Sequence, residues 1–181
     1  MKIDFTKITN DEFYELVNNT KKDWVLEECL KVATNDQCDY LAEYGKTEKI
    51  AKMFADKLFP NATDKQCEYL AEYAKTDEIA EIFAKKLLPS AIDAQCEDIA
   101  EDGKTKEIAL MFAKKLLPNA DDKQCMRLIE FGKTEEVALM FAKKLLPNAT
   151  NEQCEYLVKN GKTHEIRKMF RKTKKYYEQF L

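Results

Sequence analysis

The chain has 181 residues, a formal charge of −3 and a pI near 5.5, with four glycines, four prolines, six cysteines and one histidine. So few glycines and prolines exclude a turn-rich all-β domain and a disordered low-complexity chain, which use those residues at every reversal. A single histidine removes most metal sites and nearly every charge-relay arrangement, and a net acidic chain repels nucleic acid and anionic membranes unless it carries a local basic patch.

The opening segment, MKIDFTKITND, has no apolar core behind its lysine, and no apolar run approaches the roughly 18 to 20 residues that span a bilayer. Neither export nor a membrane partner is expected, and the six cysteines read as reduced thiols of a cytoplasmic protein.

From Thr9 onward the chain is organised by a repeat. Cys38, Cys67, Cys96, Cys125 and Cys154 recur every 29 residues, and Pro60, Pro89, Pro118 and Pro147 keep the same period. Gly45, Gly103, Gly132 and Gly161 are also in phase, with Ala74 in the remaining slot. A degenerate copy occupies residues 9–33, and it carries the only tryptophan, Trp24. Four full copies follow at 34–62, 63–91, 92–120 and 121–149, and a last copy with a basic second helix runs over 150–181. All of them are expected to form one repeat domain over 1–181, with atypical units at the ends of the stack.

Each unit punctuates itself into two helices. In the second full copy, Thr63 is an N-cap before a helix whose apolar positions Cys67, Leu70, Ala71 and Ala74 fall at i, i+3, i+4 and i+7. Gly103 and its equivalents are expected to end this helix in a left-handed conformation, and Thr105 and its equivalents to cap the second helix. Ile79, Ala80, Ile82, Phe83, Ala84, Leu87 and Leu88 cover more than half the circumference of that second helix, so it is the more buried of the two. Pro89 stops it. The two- to three-residue turn makes the helices antiparallel neighbours, and neither hides its apolar surface alone. The expected fold is therefore all-α: an α-solenoid of about six antiparallel helical hairpins, about 50 to 60 Å long. One layer apart, the in-phase cysteines are too distant for disulfides and read as a core ladder, with Cys29 out of phase.

No residue pattern here predicts catalysis, a metal or a cofactor. The recurrent Gly-Lys-Thr lacks the earlier glycine of a phosphate loop, since Tyr40, Asp98, Arg127 and Tyr156 stand in its place, and helix capping accounts for it. His164, replacing Glu48, Asp77, Lys106 and Glu135, is expected at an exposed first-turn position.

Positions that vary among near-identical units are better candidates for function. The seventh and eleventh places read Tyr40 and Tyr44, Tyr69 and Tyr73, Asp98 and Asp102, Arg127 and Phe131, then Tyr156 and Asn160. Four apart, each pair shares one side of the first helix, about 110 to 150° from the apolar stripe. Aromatics with interspersed Arg and Asp have the composition of binding hot spots, although tyrosines also pack between neighbouring helices. Glu43, Glu72, Glu101 and Glu130 are expected to form an exposed acidic row beside them. Lys85 and Lys86, Lys114 and Lys115, and Lys143 and Lys144 gather at the C-termini of the second helices, where they suit the helix dipole. Residues 162–181 carry seven basic residues against two glutamates, and Arg167, Lys168, Arg171, Lys172, Lys174 and Lys175 form a candidate basic patch.

In architecture the unit resembles tetratricopeptide and related helical-hairpin arrays, a resemblance that implies binding of peptides or proteins. Thr63, Gln66, Leu70, Ala71, Lys75, Leu87, Leu88 and Pro89 are also similar to the repeats of TAL-effector DNA-binding proteins, which implies base reading by the pair before the turn. That pair is here Glu43 with Tyr44, Glu72 with Tyr73, Glu101 with Asp102, Glu130 with Phe131 and Lys159 with Asn160, and a constant glutamate repels a phosphate backbone. The expected function is a non-enzymatic scaffold that binds a protein or peptide along the first-helix face. The alternative is a nucleic-acid binder using the lysine ladders and the basic last helix.

Overall fold

In the computed structural model, residues 8–178 are described, with side chains through residue 172. Among the described residues the chain is all-α, without strands, and its helices follow in antiparallel pairs. It divides into two compact units, Met1–Pro89 and Ser90–Leu181, each holding three hairpins stacked side by side.

In the first unit the hairpins are α1 (Asn10–Asn19) with α2 (Asp23–Val32), α3 (Asn35–Tyr44) with α4 (Glu48–Leu58), and α5 (Asp64–Tyr73) with α6 (Asp77–Leu87). The second unit contains α7 (Asp93–Asp102) with α8 (Lys106–Leu116), α9 (Asp122–Phe131) with α10 (Glu135–Leu145), and α11 (Asn151–Asn160) with α12 (His164–Glu178).

Capping chemistry sets where the helices begin. At Thr9, Thr34, Thr63, Asp121 and Thr150 the cap side chain accepts the backbone N–H three residues on, and the Glu or Gln there accepts the cap N–H in return. Thr47, Thr76, Thr105, Thr134 and Thr163 cap α4, α6, α8, α10 and α12 in the same direction, whereas α2 begins at Lys22 without a side-chain cap. Helix α7 keeps half of this arrangement: Gln95 accepts the N–H of Ile92 at 3.1 Å, but Ile92 has no oxygen to offer in return.

The glycine slot ends the first helix by a different route from the expected one. No described residue has positive φ, and Gly45, Gly103, Gly132 and Gly161 sit at φ −46 to −56° and ψ 130 to 138°. Glycine is needed there for close approach, not for left-handed geometry. A Cβ on Gly132 would stand 2.5 Å from the carbonyl oxygen of Leu128 and 2.8 Å from Cγ1 of Val137. Ala74 shows the accommodation: its ψ opens to 151° and its N–H reaches Leu70 at 3.2 Å. The next residue then ties one hairpin to another, because the N–H of Lys75 donates to Ala42 at 2.9 Å and that of Lys133 to Ala100 at 3.0 Å.

Within the stacks, Phe54 and Phe83, and separately Phe112, Phe141 and Phe170, are fully buried rungs of the second helices. Phe13 of α1 meets Phe54 edge-on, with ring centroids 6.3 Å apart. All six cysteines are free and buried, Cys29 included, and burial pushes the thiols of Cys29, Cys38, Cys67 and Cys125 up to about 11. They are therefore protonated packing groups at neutral pH, not nucleophiles.

The half-built cap of α7 gives a direct test. Ile92 is 64% exposed and already has the extended backbone of an N-cap, φ −80° and ψ 164°. Ile92→Thr restores the missing acceptor and should raise stability by about 1 kcal/mol, visible as an upward shift of the urea midpoint at unchanged m-value.

Candidate protein-binding surface

The first helices place the seventh and eleventh positions of each unit on one side, as helical spacing requires. In the first unit Tyr40, Tyr44, Tyr69 and Tyr73 are 38 to 53% exposed. Tyr40 and Tyr44 have ring centroids 4.9 Å apart, and Tyr69 and Tyr73 5.0 Å. Tyr14 of α1 stacks on Tyr40 at 4.1 Å. Thus α1, α3 and α5 together carry five tyrosines. Tyr14 escapes a reading by period because it stands one place out of phase in the degenerate copy.

The glutamates beside them are not the exposed row expected from the helical wheel. Glu43, Glu101 and Glu130 are half-buried and act as acceptors for the seventh residue of the next hairpin. The Tyr69 hydroxyl donates to Glu43 Oε2 at 2.5 Å, and that of Tyr156 to Glu130 Oε2 at 2.6 Å. The physical cause is the stacking itself, which lays one first helix against the next and leaves these carboxylates in the seam. The Glu43 carboxylate, more than any other cause, drives the Tyr69 hydroxyl well above its ordinary pKa. So the tyrosines both pack between first helices and leave ring area in solvent.

The second unit fills the same seam with charge. Arg127 reaches Glu97 at 3.2 Å and Asp98 at 3.3 Å, and its Nε lies 2.7 Å from Glu101. Asn160 donates to the Tyr156 carbonyl at 3.2 Å, whereas Asp102, Phe131 and the ring of Tyr156 stay exposed. The predicted surface residues are therefore in place, but Arg127 and Asp98 are engaged with each other.

The basic residues divide as well. Lys57 donates to the carbonyls of Leu30 and Lys31, Lys86 to those of Phe59 and Pro60, and Lys144 to that of Pro118 at 2.9 Å. Each satisfies the C-terminal carbonyls of the preceding second helix, which lack partners of their own. The outer lysines Lys85, Lys114 and Lys143 remain exposed. On α12, Lys168, Arg171 and Lys172 are exposed, whereas Arg167 turns in to donate to the Gly161 carbonyl at 2.8 Å. The side chains of Lys174 and Lys175 lie outside those described. His164 is exposed, as expected for its position. Among the described residues no group of three or more His, Cys, Asp or Glu is arranged to hold a metal ion.

A groove of about 480 Å³ runs between α3 and α5, lined by Asn35, Asp36, Asp39, Thr63, Lys65, Gln66 and Tyr69. Asp39 is its unsatisfied member: Oδ1 is buried and has no hydrogen-bond partner. Burial, with Asp36 and Glu43 nearby, pushes its carboxyl up to about 6. A carboxyl raised in the folded state destabilises the fold where it is ionised, so this penalty is complete above about pH 6 and fades as pH falls toward 4. Asp39→Asn should therefore stabilise the protein at pH 7.5 by about 1 kcal/mol, allowing for solvent screening of a half-exposed group, and be neutral near pH 4. Urea unfolding at the two pH values checks both the sign and the window.

The chain matches no family model, no curated protein and no solved structure.

Proposed function

We propose that this protein is a non-enzymatic repeat scaffold that binds a protein or peptide along its first-helix face. The observation that carries this reading is the tyrosine set of α1, α3 and α5: Tyr14, Tyr40 and Tyr44 in ring contact, Tyr69 and Tyr73 in ring contact on the next first helix, and all but Tyr14 with large parts in solvent. Tyrosine supplies wide contact area at little conformational-entropy cost, and clustered aromatics are where binding energy concentrates. The hydrogen bond from Tyr69 to Glu43 holds one of these rings before any ligand arrives. Such preorganisation lowers the entropic cost of association. The six buried, protonated thiols suit a reducing cytoplasmic setting.

A second reading rests on α12, where Lys168, Arg171 and Lys172 stand exposed on one face at i, i+3 and i+4. That face suits phosphate, and nucleic-acid binding through it would weaken steeply between low and moderate salt. Withdrawal of Lys57, Lys86 and Lys144 onto backbone carbonyls takes the inner lysines out of such a contact.

The experiment is a comparative pull-down with wild type and a Tyr69→Ala, Tyr73→Ala double variant whose helicity by circular dichroism is unchanged. Recovery of the bound protein should fall at least tenfold in the variant, and equal recovery overturns the surface. Retention of wild type on a polyanion column at 150 mM salt, lost in a Lys168→Ala, Arg171→Ala, Lys172→Ala variant, favours the second reading instead.

A further inference from the structure

The seam between α3 and α5 has a counterpart in the second unit, where Glu101 Oε2, like Asp39 Oδ1, is buried without a hydrogen-bond partner but lies in an ion pair, 2.7 Å from Arg127 Nε. There, between α7 and α9, Glu97 accepts hydrogen bonds from Gln124 at 3.1 Å and from Arg127 at 3.2 Å, and the same guanidinium reaches Asp98 and Glu101. The positions equivalent to Glu97, Asp98 and Glu101 in the first unit are Asp39, Tyr40 and Glu43, and the arginine is replaced by Tyr69. The Tyr69 hydroxyl donates to Glu43, and Asp39 keeps a buried oxygen with no hydrogen-bond partner.

The electrostatics of the first unit point the same way. Helices α1, α3 and α5 carry nine carboxylates against one lysine, Lys65, whereas α2, α4 and α6 carry eight carboxylates against six lysines. The tyrosine face is thus the strongly acidic face. Carboxylates beside aromatic rings recognise a guanidinium by charge-assisted hydrogen bonds and by cation–π contact.

We infer that the α3–α5 groove receives an arginine side chain of a basic peptide, which takes on Asp39 the place that Arg127 takes on Glu97. Asp36 and Asp39 supply the carboxylates, Tyr69 supplies an aromatic wall, and the flanking tyrosines hold the peptide on either side. This rests on the first-helix face being the binding surface and names the chemistry of its partner.

The test is fluorescence anisotropy at 150 mM salt with a labelled octa-arginine peptide and the same peptide with every arginine replaced by citrulline, its neutral isostere. Wild type should bind octa-arginine and not the citrulline peptide. Asp39→Asn, which removes the charge without disturbing the fold, should weaken binding at least tenfold. Tyr69→Arg, which supplies a guanidinium from within at the place Arg127 holds in the second unit, should do the same. Glu81→Gln on the far face of α6 should leave affinity within twofold. Equal weakening by Asp39→Asn and Glu81→Gln would show a diffuse polyanion effect and overturn the groove, as would equal binding of both peptides or none of either. If octa-arginine fails to bind while the Tyr69, Tyr73 double variant still loses its pulled-down partner, the first-helix surface stands and the arginine pocket falls.

Discussion

Every feature of this protein depends on one constraint: a hairpin of two short helices cannot bury its own apolar surface, so each must lie against a neighbour in a fixed register. The second helices have apolar residues around more than half their circumference, and the phenylalanine rungs are buried only because another hairpin covers them. Fixed register has a consequence beyond packing. A side chain at a given place in one copy always meets the same places in the copy before it. Lys86 finds the carbonyls of Phe59 and Pro60, Lys75 finds Ala42, and Tyr69 finds Glu43; Lys57 with Leu30, and within the second unit Tyr156 with Glu130, repeat these relationships. These polar stitches contribute little singly, but they penalise a slip of one residue, because a slip would unpair all of them together.

Much of the fold was legible from residues alone because helix starts and apolar stripes are local signals. Thr63 with Gln66, or Thr150 with Gln153, announces a helix by chemistry confined to four residues. What escaped reading lies between copies, at sequence separations of 26 or more, where helical periodicity carries no information. The glutamates at 43, 101 and 130 look solvent-facing on a wheel, yet the next first helix closes over them. Lys86 looks like a dipole partner for its own helix and instead serves the preceding one. The glycine slot misled because its requirement is close approach and not positive φ: a Cβ would meet the carbonyl four residues back and then Val137 or Ile108 across the turn.

The candidate surface was legible in its residues but not in its state. Tyr40, Tyr44, Tyr69 and Tyr73 share a side because four-residue spacing places them there. Period alone could not add Tyr14, which completes the cluster from an out-of-phase position, nor Asp39, which occupies the place where Glu97 of the second unit is paired with Gln124 and Arg127. Nor could it tell that Arg127, alike in position to the tyrosines, closes its seam with three carboxylates.

The contrast between Tyr69 and Arg127 separates what packing demands from what it leaves free. At two of these seams the seventh place answers a half-buried glutamate of the preceding copy: a phenol donates a hydrogen bond to Glu43, and a guanidinium forms an ion pair with Glu101. The choice of donor then decides what remains. An arginine brings a positive charge to the three carboxylates it meets, whereas a tyrosine satisfies one acceptor, brings no charge, and presents a ring to solvent. With Asp39 ionised beside it at a cost to stability, the first unit keeps a buried carboxylate oxygen that has no hydrogen-bond partner among the described residues. Sites that sacrifice stability in this way are where proteins meet ligands, because a ligand that supplies the missing partner gains what the fold has given up.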